Sequence, residues 1–155
     1  MTDEDLLREA IDLAAASASG DGGPFGAIVA VDGRVIGRGT NRVTAERDPT
    51  LHAEVVALRA ACRELDTFDL TGAVLLCSCE PCPMCFGAAF WARVDRIVHA
   101  ATRTDAAAAG FDDAAVYADV CAPAEQRVLT TVQLLGEDGR RPFAAWAANP
   151  DRVEY

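Results

Sequence analysis

Two short stretches of this 155-residue chain carry side chains that bind metals and move protons. The first is His52-Ala53-Glu54; the second is Pro81-Cys82-Pro83-Met84-Cys85, with Cys82 standing 28 positions after Glu54. Each lies where a segment of helical periodicity begins. Cys82 and Cys85 are one helical turn apart, so both sulfurs can face a single point. A third ligand from His52 on the neighbouring helix would make a Cys₂His zinc site. Such a site leaves one tetrahedral position open, which separates catalytic from structural zinc. Helix N-termini favour the thiolates the metal requires. Glu54 is better used beside the ion than on it. Zinc lowers the pKa of a bound water towards ~7, and a carboxylate within reach can take that proton and hand it on.

Two other readings of the cysteines stand beside this one. A closed structural site could use Cys77, Cys79, Cys82 and Cys85, with the first pair sharing a strand face; it leaves His52 and Glu54 without a role. A redox Cys-x-x-Cys reading has no second feature behind it. The isolated Cys62 and Cys121 read as small buried hydrophobes, and His99, in an apolar run, as a satisfied core histidine.

The elements that must position these residues follow from periodicity. An amphipathic helix is expected over residues 3–19 with Thr2 as N-cap, and a hairpin of 27–31 and 35–39 joined at Asp32-Gly33. Asn41 to Thr50 reads as a polar loop. A helix over 52–65, a buried strand over 74–79, a helix over 83–93 and a strand over 96–101 come next. Residues 104–120 read as broken helix interrupted at Gly110, 127–135 as a strand and 142–148 as a final helix. This order predicts one layered α/β domain over 1–155, with later strands parallel because helices connect them.

Composition narrows the partner. The formal net charge is −10, and all 14 basic residues are arginine, since lysine is absent. That balance disfavours a polyanionic partner, because nucleic-acid affinity rests mainly on basic contacts to phosphate. A small substrate is the better expectation. No apolar run reaches the ~18–20 residues of a membrane span, and the acidic start MTDEDLLREA lacks the features of a signal peptide. A cytoplasmic protein without membrane association is therefore expected. The abundance of alanine, 31 residues, reads as a compositional bias with no functional content.

H-x-E followed by P-C-x-x-C is a signature of zinc-dependent nucleobase deaminases. The chain resembles the cytidine deaminase-like superfamily, and within it the small bacterial guanine deaminases. The resemblance is carried by Gly22–Ala27, Asn41, Asp48-Pro49-Thr50, His52-Ala53-Glu54, Ser78–Cys85, Trp91-Ala92-Arg93, Thr104–Ala107, Ala109–Asp113 and the terminal Glu154-Tyr155. Gly110-Phe111-Asp112-Asp113 and the terminal tyrosine point to the guanine branch.

This resemblance implies a three-layer α/β/α fold with a central mixed five-stranded sheet. It implies one Zn²⁺ per chain on His52, Cys82 and Cys85, with Glu54 as proton shuttle and Asp113 assisting departure of the C2 amino group. Asn41 would hydrogen-bond the base; Phe25, Ala53 and Trp91 would contact it, and Tyr155 would close the pocket. Zinc-activated hydroxide would attack C2 of guanine, giving xanthine and ammonia. A homodimer is implied, with the segment from about 137 to 155 packing on the partner subunit. Ser78, Phe86 and Arg42 receive no role from it. The alternatives are the same chemistry on guanosine, cytosine, cytidine or a triazine, and a zinc-stabilised binding module without catalysis.

Overall fold

The run Gly26–Val31 forms a strand, β1, buried on both faces along most of its length, so helices must cover both sides of the sheet. The computed structural model describes residues 1–155 as two compact units, Met1–Asp113 and Ala114–Tyr155. In the first unit, α1 (Asp3–Ala18) opens with a reciprocal capping box between Thr2 and Asp5. Its Leu6 and Ala10 pack on Ile28, Ala30 and Leu76 on one face of the sheet. The alternate residues Ala27, Val29, Leu75 and Cys77 point to the other face. There they meet α3 (Ala53–Glu64) through Ala53, Ala57, Leu58 and Ala61, and α4 (Pro83–Trp91) through Ala89. The result is three layers.

β2 (Arg34–Thr40) is joined to β1 by Asp32-Gly33, whose φ values of 49° and 72° give the hand a two-residue hairpin needs. With β3 (Ala73–Cys79) and β4 (Arg96–Ala101) the sheet order is β2-β1-β3-β4. β1 is antiparallel to both neighbours, while β3 and β4, linked through α4, are parallel. The sheet is mixed, as expected. Close approach fixes α3 on it: a Cβ at Gly39 would lie 2.0 Å from the Ala53 carbonyl oxygen, and one at Gly37 2.3 Å from that of Ala57. Those two glycines seat the helix that carries Glu54.

The sheet has four strands, not five. Residues 127–135 form no strand; they lie in the second unit between α6 (Ala114–Cys121) and α7 (Arg141–Ala148). Their apolar side chains are exposed, Val128 at 92%, and the N–H groups of Val128 and Leu129 donate to the Asp119 carboxylate. Alternation supplies only the side-chain half of a strand; the other half is a neighbouring backbone, and here a carboxylate takes its place.

Smaller differences have similar causes. The polar loop after Asn41 contains one helical turn, α2 (Val43–Glu46). His99 is exposed and not in the core, because β4 is an edge strand; its Nδ1 lies 3.0 Å from the Ala101 carbonyl oxygen. Cys121 is exposed at the end of α6, and Cys62 is half-buried. The broken helix resolves into α5 (Arg103–Ala108), again capped reciprocally by Thr102 and Asp105, and α6.

Candidate active site

His52 and Cys82 occupy equivalent places: each is the N-cap of its helix, with extended backbone (φ −68°, ψ 154° and φ −67°, ψ 168°) and no side-chain cap bond. A histidine or cysteine at an N-cap leaves its side chain free to turn away from the helix towards a common point. Pro83 fits the first turn because its missing N–H would have no partner there. Cys85, one turn on, is fully buried.

The three ligand atoms converge. His52 Nδ1 lies 3.6 Å from Cys82 Sγ and 3.5 Å from Cys85 Sγ, and the two sulfurs are 3.6 Å apart. Tetrahedral zinc with Zn–S near 2.3 Å and Zn–N near 2.05 Å separates two sulfurs by about 3.8 Å and a nitrogen from a sulfur by about 3.6 Å. The donor set and spacing therefore fit one zinc ion. Cys77 and Cys79 are not in this cluster. Cys77 is packed in the core, and the Cys79 thiol donates to the Thr102 carbonyl, 3.5 Å away.

Charge is arranged around the cluster. The Cys82 thiol is pulled down to about 4, first by the hydrogen bond from Cys85 and then, against the cost of burial, by that from His52. Cys85 is pushed up by holding the shared proton against its neighbour, and by burial. A cation bound here would displace thiol protons. The hydrogen bond with Cys82 raises the His52 pKa. Glu54, in the first turn of α3 and only 7% exposed, has its pKa raised chiefly by burial. Asp113 is raised as well, by desolvation first and then by the Cys82 charge.

A cavity of about 480 Å³ opens onto this cluster. His52, Glu54 and Cys82 line it together with Phe25, Asn41 and Asp113. Six of the residues singled out in the sequence are thus brought together. Cys85 and Ala53 are buried and do not line it, and Ala53 belongs to the core. Trp91 does not line the cavity; it sits at the end of α4, 66% exposed. Tyr155, in the second unit, packs edge-on against Trp146 with ring centroids 6.3 Å apart.

The structure adds residues that sequence reasoning passed over. Phe111 lines the cavity and meets Phe25 edge-to-face, 5.0 Å between centroids. Glu80 and Arg103 line it too, and the Glu80 carboxylate accepts the Arg103 backbone N–H at 3.0 Å. In the sequence Gly110-Phe111 serve only as family markers; an aromatic two positions before Asp113 is the available signal. Ser78 and Arg42 also gain structural accounts. The Ser78 hydroxyl accepts the Gly26 N–H, and Arg42 pairs with Asp21 and Glu46.

Residues 1–101 match the model of the cytidine and deoxycytidylate deaminase zinc-binding region. The chain belongs to this family. It is a zinc-binding enzyme, a hydrolase, with the His52–Cys82–Cys85 group as the place for one ion. The deaminase is 45% identical to the guanine deaminase of Bacillus subtilis over the whole of both chains. The X-ray structure of that protein superposes with a TM-score of 0.96, covering 100% of this chain and 99% of the other. A guanine deaminase from Nitrosomonas europaea matches at 39% identity and a TM-score of 0.67, covering 72% of this chain and 65% of that one. The tRNA-specific adenosine deaminase of Haemophilus influenzae is 36% identical over 117 residues, 72% of this chain and 68% of its own.

Proposed function

We infer that this deaminase hydrolyses guanine to xanthine and ammonia. The observation that carries the reading is the match to a guanine deaminase along the entire chain, second unit included, whereas the match to a tRNA deaminase covers 72% of it. A net charge of −10 without lysine also speaks for a small neutral base over RNA.

His52, Cys82 and Cys85 would hold a zinc ion, which would supply an acidic water, its pKa lowered towards ~7, as the nucleophile for C2. Glu54, buried and lining the cavity, would take a proton from that water and deliver it to the adjacent ring nitrogen. Its burial raises its proton affinity towards that of the groups it serves. Asp113, which also lines the cavity, receives and returns a proton at the departing C2 amino group. Asn41 donates a hydrogen bond to the base, and Phe25 packs against its face.

Ammonia release from guanine, guanosine, adenine, cytosine, cytidine and a triazine tests the substrate assignment. Guanine is expected to turn over with a kcat/KM at least about a hundredfold above the others, the scale set by unpaired polar groups in a fitted site. Preference for any other base overturns the guanine reading and leaves the family unchanged.

The remaining residues fit a homodimer. Phe86, Phe90 and Trp91 leave an apolar face of α4 exposed, and the second unit exposes Leu134, Leu135 and Phe143. We propose that two copies bury these surfaces and that the segment from about 137 to 155 packs on the partner subunit, where Tyr155 closes the partner's pocket. Mixing a Glu54→Gln chain with one lacking the last few residues tests this, each homodimer being inactive. Regained activity after subunit exchange is expected, and its absence, with exchange demonstrated, places Tyr155 in its own chain's site. All six cysteines are free thiols, which suits a cytoplasmic setting.

A further inference from the structure

Asn41 is one of three buried polar residues in the chain and lines the cavity. Its Oδ1 accepts the Val43 N–H at 3.2 Å, which only an oxygen can do, so Nδ2 is the end left to donate to a ligand. Its backbone is tied down on both sides. The Asn41 N–H donates to the Phe25 carbonyl at 3.1 Å, and the Arg42 N–H donates to that of Leu51 at 2.9 Å.

Gly22 and Gly23 stand directly against this residue. Neither has a φ in the left-handed region, so conformational freedom does not require glycine at either place. Space does. A Cβ on Gly22 would lie 2.3 Å from the Asn41 carbonyl oxygen and 2.4 Å from Ser17 Oγ. A Cβ on Gly23 would lie 3.1 Å from Asn41 Cγ and 3.2 Å from Oδ1, against the amide itself. The turn that makes this approach is closed by the Phe25 N–H donating to the Gly23 carbonyl at 2.8 Å.

We propose that Gly22 and Gly23 are positioning residues: Gly22 seats the Asn41 main chain, and Gly23 sets the plane of its amide so that Nδ2 points at the base. This rests on Asn41 contacting the base, as proposed above. The atoms nearest a methyl at position 23 all belong to the Asn41 side chain. The methyl should therefore turn the donor away from the ligand without disturbing the metal ligands or Glu54.

The test is a double-mutant cycle with Gly23→Ala and Asn41→Ala, measured as KM and kcat for guanine on zinc-loaded protein. Gly23→Ala is expected to raise KM about tenfold, the scale of one lost hydrogen bond, with kcat changed less than about threefold. In the Asn41→Ala background the same methyl should have no further effect, because the amide it would meet is gone. Additive losses would show that Gly23 acts on the fold and not through Asn41, and would overturn the proposal. An unchanged KM in Gly23→Ala, with Asn41→Ala impaired, would overturn it as well. An Asn41→Ala enzyme with normal KM would instead overturn the base contact on which the proposal rests. Gly22→Ala, which meets backbone, is expected to lower the melting temperature in addition.

Discussion

Glu54→Gln is expected to lower the turnover of guanine by about 10²–10⁴-fold, the usual contribution of a positioned general acid–base, while bound zinc stays at one per chain. The glutamine keeps the shape and burial of the side chain in the first turn of α3 but can no longer accept a proton. The fold should not suffer. Glu54 is almost fully buried, and removing a carboxyl that burial disfavours in its charged form takes away a desolvation cost. Parallel measurement of kcat, metal content and melting temperature checks all three statements. Activity within a few-fold of the parent would move the proton transfer to another group, and Asp113 would be the next to replace.

The second large effect concerns the metal ligands. Cys82→Ser and Cys85→Ser should each reduce bound zinc well below one per chain and guanine turnover by more than about 10³-fold, because the nucleophile depends on the ion. Two ligands cannot hold a tetrahedral ion that three hold through atoms 3.5–3.6 Å apart. The melting temperature should fall too, since the ion binds the folded chain and not the unfolded one. Cys79→Ser is the matched control: Cys79 lines the same cavity but is not in the ligand cluster. Zinc content and activity close to the parent are expected there. Loss of zinc in Cys79→Ser would revive the four-cysteine site that the geometry disfavours.

The metal cluster was legible in the sequence because it depends on local geometry. Two N-caps and one helical turn place His52, Cys82 and Cys85, and helix starts are marked by loops, prolines and the onset of apolar periodicity. The hairpin was legible for the same reason: Asp32-Gly33 encodes its own turn. Long-range pairing was not. Whether 127–135 becomes a strand depends on a free sheet edge, and Asp119 satisfies two of its amides instead. The exposure of His99 is not legible either, because an edge strand and a central one share the same apolar pattern. The places of Phe111 and Glu80 in the cavity were not legible, because their contacts join residues far apart along the chain. Phe25 is 86 positions from Phe111, and Arg103 is 23 from Glu80.

The reaction is a hydrolysis at one carbon. Turnover of guanine in ¹⁸O-water, with product mass and ammonia followed together, is the sharpest measurement of it. Xanthine carrying one ¹⁸O at the C2 oxygen is expected, with ammonia released in equal amount by protein holding one zinc per chain. Guanine left unchanged by such folded, zinc-loaded protein, or xanthine without the label, would contradict it.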